Sequence, residues 1–331
     1  MISQEVLKSF EGKACLVTGG TGLIGRQVVD ILSKAGAIVN VASLDYIELN
    51  IPNVEYYKVD LRDRDTCLDI VGGQDYVFNL IGIKGNIDVT SKRSATMFVP
   101  YLQFNTNMLE ACRLKKVKKV VFTSTIGAYS SNDVFVEGEI LDGAPMDKSA
   151  GWAKRMAELQ IQFYKEEYGL NNFIAVRPAN VYGPGDNFDP NNAMVIPSLM
   201  YKIRRGDNPV TIWGYGSAIR DFAYSRDVAE GIILALYHCP DVPYLNLGSG
   251  KGVSIRELVE TLNKITNFNY EFDYTKPSGF PKRIMNIDKA RQLICYNPTT
   301  PLEEGLKETW EWFIKNEQEY KNRKNYFTDE E

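Results

Sequence analysis

Eight residues near the amino terminus carry the clearest chemical signal in the chain. In Thr18-Gly19-Gly20-Thr21-Gly22-Leu23-Ile24-Gly25, glycines recur at i, i+3 and i+6 between an apolar run and an amphipathic one. The first permits a tight turn, the second lets backbone N–H groups approach a pyrophosphate, and the third lets helix and strand touch. With a strand before it and a helix after it, the pattern predicts a dinucleotide-binding loop rather than a plain turn. Cofactor choice falls to the end of the second apolar run, Ala42-Ser43-Leu44-Asp45. Asp45 suits the two adenosine ribose hydroxyls, and no Arg stands nearby to grip a 2′-phosphate. This favours NAD and leaves NADP open, because Ser43 occupies the place where the acid more usually stands. Asp60-Leu61, after the third apolar run, is placed to flank the adenine.

Other chemistries have fewer residues to work with. The one histidine, His238, closes an apolar helical run before Pro240, a position that suits it structurally. A single histidine excludes Ser/His/Asp triads and multi-His metal sites, so no metal is expected. Cys15, Cys67, Cys112, Cys239 and Cys295 form no Cys-x-x-Cys pair and read as thiols in a reducing, cytoplasmic compartment. The net charge of −4 gives no footprint for nucleic acid or an anionic membrane, so a polyanionic ligand needs a local Arg/Lys cluster. No apolar run approaches the ~18–20 residues needed to span a bilayer. Met1 to Phe10 carries Glu5 and Lys8 and lacks a signal-peptide pattern.

The elements that must position the loop alternate. Ala14–Thr18, Ala37–Ala42, Val54–Val59, Tyr76–Ile81, Lys119–Thr123 and Ile174–Arg177 read as buried strands. Helical stretches lie between them, including Ile24–Lys34, Phe104–Leu114 and Trp152–Tyr168. Alternation of this kind predicts an α/β fold, a Rossmann-type doubly wound parallel sheet with a smaller, mixed C-terminal substrate lobe. Residues 1–182 are expected to form the dinucleotide-binding domain, with 213–247 returning to it. Residues 183–212 and 248–316 form the substrate lobe, and 317–331 a charged, frayed tail. Within that lobe Val195–Arg205, Ser254–Ile265 and Leu302–Asn316 read as helices and Val210–Trp213 as a strand; Asp227–Tyr237 is the returning helix.

Further motifs give the chain a family likeness. They are Asn79-Leu80-Ile81-Gly82, Phe122-Thr123-Ser124-Thr125 with Tyr129, Gly151-Trp152-Ala153-Lys154-Arg155-Met156-Ala157-Glu158, and Arg177-Pro178-Ala179-Asn180-Val181-Tyr182-Gly183-Pro184. With the glycine loop, they make the chain resemble an extended short-chain dehydrogenase/reductase of the nucleotide-sugar epimerase/dehydratase group, from Thr18 to about Trp312. The resemblance implies Leu80, Ile81 and Gly82 beside the cofactor and a catalytic Tyr-x-x-x-Lys with a Ser or Thr about two dozen residues upstream. In that family hydride transfer at a sugar carbon is matched by proton exchange at its oxygen, through a Tyr whose pKa is lowered by the Lys. Lys154 fits the Lys and Thr125 the hydroxyl. The Tyr position, one helical turn before Lys154, holds Ala150. Because the surrounding motifs are intact, Ala150 reads as a substitution made in an otherwise standard enzyme. A natural departure is the other reading, and with it a catalytically dead binding protein. Tyr129 and Tyr182 are the aromatic hydroxyls left to replace the missing one.

Asn180 to Phe222, with Lys276-Pro277-Ser278-Gly279, is similar to GDP-fucose synthase-like enzymes. That likeness places Arg220 on a diphosphate, Asn180 near sugar and diphosphate, Tyr129 and Val195 by the substrate, and Trp213 and Lys276 by the base. A local ion pair of Arg220 with Asp221 is the alternative. Two departures follow. Gly127 and Met194 stand where those enzymes have a Cys and a His that move protons at C3 and C5, and neither ionises. The expected activity is therefore NAD(P)-dependent oxidation or reduction at C4 of a nucleotide-diphosphate sugar, a GDP-hexose or GDP-heptose, without C3/C5 epimerisation. The oxidising direction is favoured. A C4 epimerase of a UDP- or GDP-sugar is the runner-up, and Ile126 stands where a 4,6-dehydratase wants an acid. The family likeness also implies a homodimer joined by the helices around Phe104–Leu114 and Trp152–Tyr168. Leu159 and Phe163 suit that interface or a core equally.

Overall fold

Short runs of Val, Ile and Phe form strands buried on both faces, which suits a parallel sheet covered by helices. The computed structural model describes residues 2–45, 47, 49, 51–83 and 92–321. Its main sheet contains β1 (Ala14–Thr18), β2 (Ile38–Ser43), β3 (Val54–Lys58), β4 (Tyr76–Asn79) and β5 (Lys119–Thr123), with Phe173–Pro178 and Tyr244–Leu247. All seven run parallel, in the order Tyr244–Leu247, Phe173–Pro178, β5, β4, β1, β2, β3. The chain leaves β1 for β2 and β3 on one side and returns to β4 on the other. The C-terminal ends of β1 and β4 are therefore a switch point, where diverging connections open a crevice. Thr18 pins that point: its Oγ1 donates to Asn79 Oδ1 at 2.9 Å and accepts from Leu80 N at 3.1 Å and Ile81 N at 3.3 Å.

A second core gathers Tyr182, Phe188, Ile196, Leu199, Met200, Phe222, Tyr224, Leu258, Leu262 and Phe313. Small sheets cover it. Val210–Trp213 pairs with Tyr270–Asp273, and Ile219–Arg220 lies between Val253–Ser254 and Lys282–Met285. Lys282–Met285 also pairs with Val134–Phe135, so the sheet that holds Ile219–Arg220 reaches back to the larger lobe. The chain's return to the main sheet is made by the helix Ser225–His238 and the strand after it. Alternating polar residues and glycines around Trp213 hid the pairing of Val210–Trp213, since its partner strand lies some sixty residues away.

Two expectations are corrected. The helix expected over Phe104–Leu114 begins at Ser94 and runs through Pro100, a residue that reads in sequence as a break. The charged tail starts as a helix, Glu317–Lys321, whose Tyr320 ring lies 4.9 Å from Phe313 and 5.7 Å from Phe188. Glu319 bonds Arg26, beside the glycine loop. The remainder of that tail, 322–331, lies outside the described residues. Among the described residues, no helix is long and apolar enough to cross a membrane.

One buried ion pair ties the helix Ala150–Tyr168 to the sheet. Arg177 on the strand Phe173–Pro178 donates from Nε to Glu158 Oε1 at 2.8 Å and from Nη2 to Oε2 at 2.6 Å. Its guanidinium lies 3.6 Å from the ring centre of Tyr244 and 4.3 Å from that of Tyr129. Removing one partner strands the other's charge in the core. Arg177→Met should therefore lower the unfolding free energy by about 3–5 kcal/mol in urea titration. A loss under about 1 kcal/mol would show that the pair is not buried as described.

Candidate active site

The glycine loop has the shape that phosphate binding requires. Gly19 sits at φ +67°, and a Cβ there would lie 3.3 Å from Ile81 Cα and from Leu80 O. A Cβ on Gly25 would lie 2.1 Å from Gly19 O, so only glycine lets the helix Gly25–Lys34 start against the end of β1. No side chain caps that helix at Ile24, although Arg26 N and Gln27 N already donate to the carbonyls of Gly22 and Ile24 at 3.0 Å and 3.1 Å. Three buried polar atoms lack a partner at the ends of β4 and β5: Asn79 Nδ2, Thr123 Oγ1 and Ser124 Oγ. These features fit a dinucleotide. Its pyrophosphate would lie over Thr21, Gly22, Leu23 and Ile24, and Gly19 and Gly25 supply the close approach.

The expected ribose and adenine residues are only partly free. Ser43 is buried, and its Oγ lies 3.0 Å from Thr21 Oγ1 and accepts from Asp45 N at 3.3 Å. Asp45 is half-buried at the sheet edge. Asp60 is gripped by Arg62, whose Nη2 lies 2.7 Å from Oδ2, and that contact holds the carboxyl below its ordinary range. Leu61 is 1% exposed and its carbonyl accepts from Cys67 Sγ, so its side chain belongs to the core and not to an adenine pocket.

Lys154 is the most constrained cation in the site. It is 4% exposed and donates to Thr123 O at 2.6 Å and Ile81 O at 3.1 Å, bridging the ends of β5 and β4. The rings of Phe122 and Tyr101 flank its Nζ at 4.7 Å and 5.2 Å. Burial pushes its pKa down to about 7, against the opposing charge of Glu158. Thr125 lies at the end of β5, where its Oγ1 accepts from Gly127 N at 3.1 Å. Ala150 opens the helix that carries Lys154 and is buried. Of these three residues, Lys154 is the one that bonds Ile81, while Thr125 follows two residues after its other partner, Thr123.

The aromatic hydroxyls expected to stand in for a tyrosine do not reach this point. Tyr129 OH donates to Asn246 Oδ1 at 2.7 Å, beneath a ring stacked on Phe135, and burial raises its pKa. That makes it a core residue, not a substrate contact. Tyr182 is buried in the second core and raised in the same way. Tyr101 is the phenol that bonds beside Ile81 at Ile83, unnoticed in the sequence because it follows Pro100, which reads there as a break. Its OH accepts from Ile83 N and donates to Ile83 O, both at 2.8 Å.

On the smaller lobe, Arg220 is not paired with Asp221. Asp221, between two short strands, is buried, accepting from Ser249 N and Oγ, Gly250 N and Met285 N. Arg220 donates only to the carbonyls of Ile219 and Phe280. Directly opposite it in the parallel ladder stands Arg283. Burial and the charge of Arg220 push Arg283 down to about 10, and its Nε is buried without a partner. No described carboxylate bridges either arginine. Two half-buried guanidiniums side by side form an anion seat, and sequence missed Arg283 because strand register is non-local. Asn180 Nδ2 donates to Asp221 O at 3.1 Å nearby, and Val195 begins the helix Val195–Arg205. Lys276 Nζ lies 5.8 Å from the ring centre of Trp213, which is 61% exposed.

Comparison with known proteins bears on this geometry. Residues 15–248 match the model of the NAD dependent epimerase/dehydratase family. The probable GDP-L-fucose synthase 1 of Oryza sativa subsp. japonica is 29% identical over 321 residues, 92% of this chain and 93% of that protein. Among solved structures, the epimerase Mth375 of Methanothermobacter thermautotrophicus superposes with a TM-score of 0.85 at 25% identity, covering 96% of this chain and 97% of that one. The UDP-glucose 4-epimerase of Thermotoga maritima, solved with UDP-glucose, gives 0.77 at 30% identity, covering 91% and 99%.

The depressed Lys154 has a thermodynamic signature. Its folded pKa of about 7 lies below the unfolded value of ~10.4. Between those values the unfolded chain binds the extra proton, so stability rises with pH across that window and the full penalty applies below it. The melting temperature of the wild type, relative to Lys154→Met, should climb from pH 6.5 to pH 9. A difference that stays flat over that range would mean that Lys154 titrates normally.

Proposed function

The chain belongs to the NAD dependent epimerase/dehydratase family, and from that premise we propose that it is a cytoplasmic NAD(P)-dependent oxidoreductase acting at C4 of a nucleotide-diphosphate sugar. The observation that supports this reading is desolvated Lys154 bonded to Thr123 O, two residues before Thr125, and to Ile81 O, on the segment against which Gly19 of the glycine loop packs. When bound, the dinucleotide supplies a hydride donor or acceptor. The protein's part is to place and polarise. Gly19 to Gly25 hold the pyrophosphate by backbone, and Ser43 and Asp45 stand at the adenosine ribose. Lys154 lends positive potential beside Ile81, and Thr125 shares the sugar oxygen.

The nucleotide end falls to the smaller lobe. Arg220 and Arg283 cradle the diphosphate, and Trp213 with Lys276 form an exposed platform for the base. The likeness of Asn180 to Phe222 to GDP-fucose synthase-like enzymes supports a GDP-hexose or GDP-heptose. Gly127 and Met194 have no proton to exchange, which supports C4 chemistry without epimerisation at C3 and C5. Asp45 supports NAD over NADP. A second reading, a C4 epimerase with retained NAD, is supported by the likeness to the Thermotoga maritima UDP-glucose 4-epimerase. A homodimer is supported by the helix Ala150–Tyr168: Phe163 is 55% exposed and Met156 37%, so they form an outward apolar row and not a core.

Incubation with GDP- and UDP-hexoses tests the reading. A dehydrogenase consumes one NAD per sugar oxidised, whereas an epimerase turns over repeatedly with none added. Binding of neither dinucleotide nor nucleotide sugar would end both readings. Ala150→Tyr should raise turnover by placing a phenol one helical turn before Lys154; equal turnover would remove position 150 from the chemistry. Arg283→Met should weaken nucleotide-sugar binding at least about tenfold while NAD affinity holds. Equal loss for both ligands would place the arginine elsewhere.

A further inference from the structure

Ala150 leaves the site without a tyrosyl proton, but a carboxylate is built into the same wall three residues earlier. Asp147 lies in the turn that enters the helix Ala150–Tyr168. Its Oδ1 accepts from Ser149 N at 2.9 Å, Ser149 Oγ at 3.1 Å and Ala150 N at 3.1 Å, so the side chain is fixed at the helix start. Among the described residues no donor bonds its Oδ2. The residue is half-buried.

Contacts on two sides locate it. Asp147 N donates to Gly127 O at 3.1 Å. A Cβ built on Gly127 would lie 3.0 Å from Asp147 Cβ and 3.5 Å from Thr125 Oγ1. Asp147 and Thr125 are therefore separated by the width of one missing side chain, and the glycine at 127 is what makes room for the acid. On the opposite wall, the Tyr101 hydroxyl lies 3.1 Å from a Cβ built on Gly82. Burial holds that phenol well above its ordinary range, and the charge of Asp147 adds to the effect. Asp147 thus lies beside Thr125 across Gly127, and near enough to Tyr101 for its charge to act on that phenol.

We propose that Asp147 is the acid–base residue of this site, exchanging a proton with the sugar hydroxyl whose oxygen Thr125 shares. The inference rests on the function proposed above. In the oxidising direction the sugar C4–H bond breaks and its electron pair leaves as hydride to the oxidised nicotinamide dinucleotide. The O4–H bond breaks and its proton passes to the Asp147 carboxylate, and the C4–O bond becomes a carbonyl. Solvent then takes the proton from Asp147. Thr125 Oγ1 already accepts from Gly127 N, so its own hydrogen is free for the substrate oxygen.

Asp147→Asn separates this role from helix capping, because the amide oxygen still accepts at Oδ1. In the variant, calorimetric affinities for NAD and a GDP-hexose such as GDP-mannose should match the wild type, and the melting temperature should hold. Turnover on the best of a panel of GDP- and UDP-hexoses should fall about 10²-fold or more. Asp147→Gly should recover part of its lost turnover in added formate, which restores a carboxylate and repairs no fold. Ala150→Tyr in the Asp147→Asn background should restore turnover. Turnover by Asp147→Asn within about twofold of wild type overturns the inference, as does loss of affinity in step with turnover. A wild type that binds both ligands but converts none of the panel also overturns it. A wild type that binds neither instead overturns the proposed function itself.

Discussion

Everything in the larger lobe is arranged around one costly act, the burial of the Lys154 ammonium. Removing a cation from water costs several kcal/mol even after the protein relaxes. Two carbonyls from adjacent strands, two aromatic faces and the Glu158 carboxylate one turn along the helix offset that cost. Those carbonyls come from Ile81 and Thr123, at the C-terminal ends of β4 and β5. The lysine therefore ties the end of β4, one border of the crevice, to the end of its neighbour β5. Glu158 in turn is claimed by Arg177, so the charge network runs from the crevice through the helix into the core. A structure that needed only stability would fill this space with apolar side chains. Retaining a desolvated cation here makes sense when its field acts on something bound beside it.

The smaller lobe repeats the logic with a pair of cations. Arg220 and Arg283 meet in register with no carboxylate between them among the described residues, and like charges directly opposite in a sheet are destabilising. Asp221, the nearest acid in sequence, is absorbed by four donors. The lobe thus stores a local positive site inside a chain whose net charge is −4. A diphosphate would relieve the repulsion, and its binding would draw on energy that the apo fold holds in reserve.

How much of this was legible in the sequence depends on how local each signal was. The glycine loop, β1 and β5 were readable to the residue, because a turn that only glycine can make is written in consecutive positions. Lys154 and Thr125 were read from motif spacing, and Lys154 bonds the carbonyls of Ile81 and of Thr123, two residues before Thr125. Arg283, Tyr101 and Asp147 went unnoticed for a common reason. Each acts through register or packing with residues tens of positions away, which spacing along one segment does not encode. Tyr129 erred the other way: it sits in a motif beside the catalytic hydroxyl, yet its own hydroxyl points down to Asn246. The partner of Val210–Trp213 was not legible either, because it pairs with a strand far along the chain.

Position 127 shows how a local vacancy directs chemistry. A side chain there would press on Asp147 at 3.0 Å, so a glycine and a nearby acid are two halves of one arrangement. Gly151 tightens it, since a Cβ there would lie 2.5 Å from Gly127 O and 2.9 Å from Pro145 Cβ. The loop after β5 and the start of the lysine helix are thus in backbone contact, with no space for bulk at either glycine. A proton-transfer group at this wall must come from the turn before the helix or from its first residue. With alanine as the first residue, the turn carries the wall's remaining ionisable side chain among those that touch both Gly127 and Ala150.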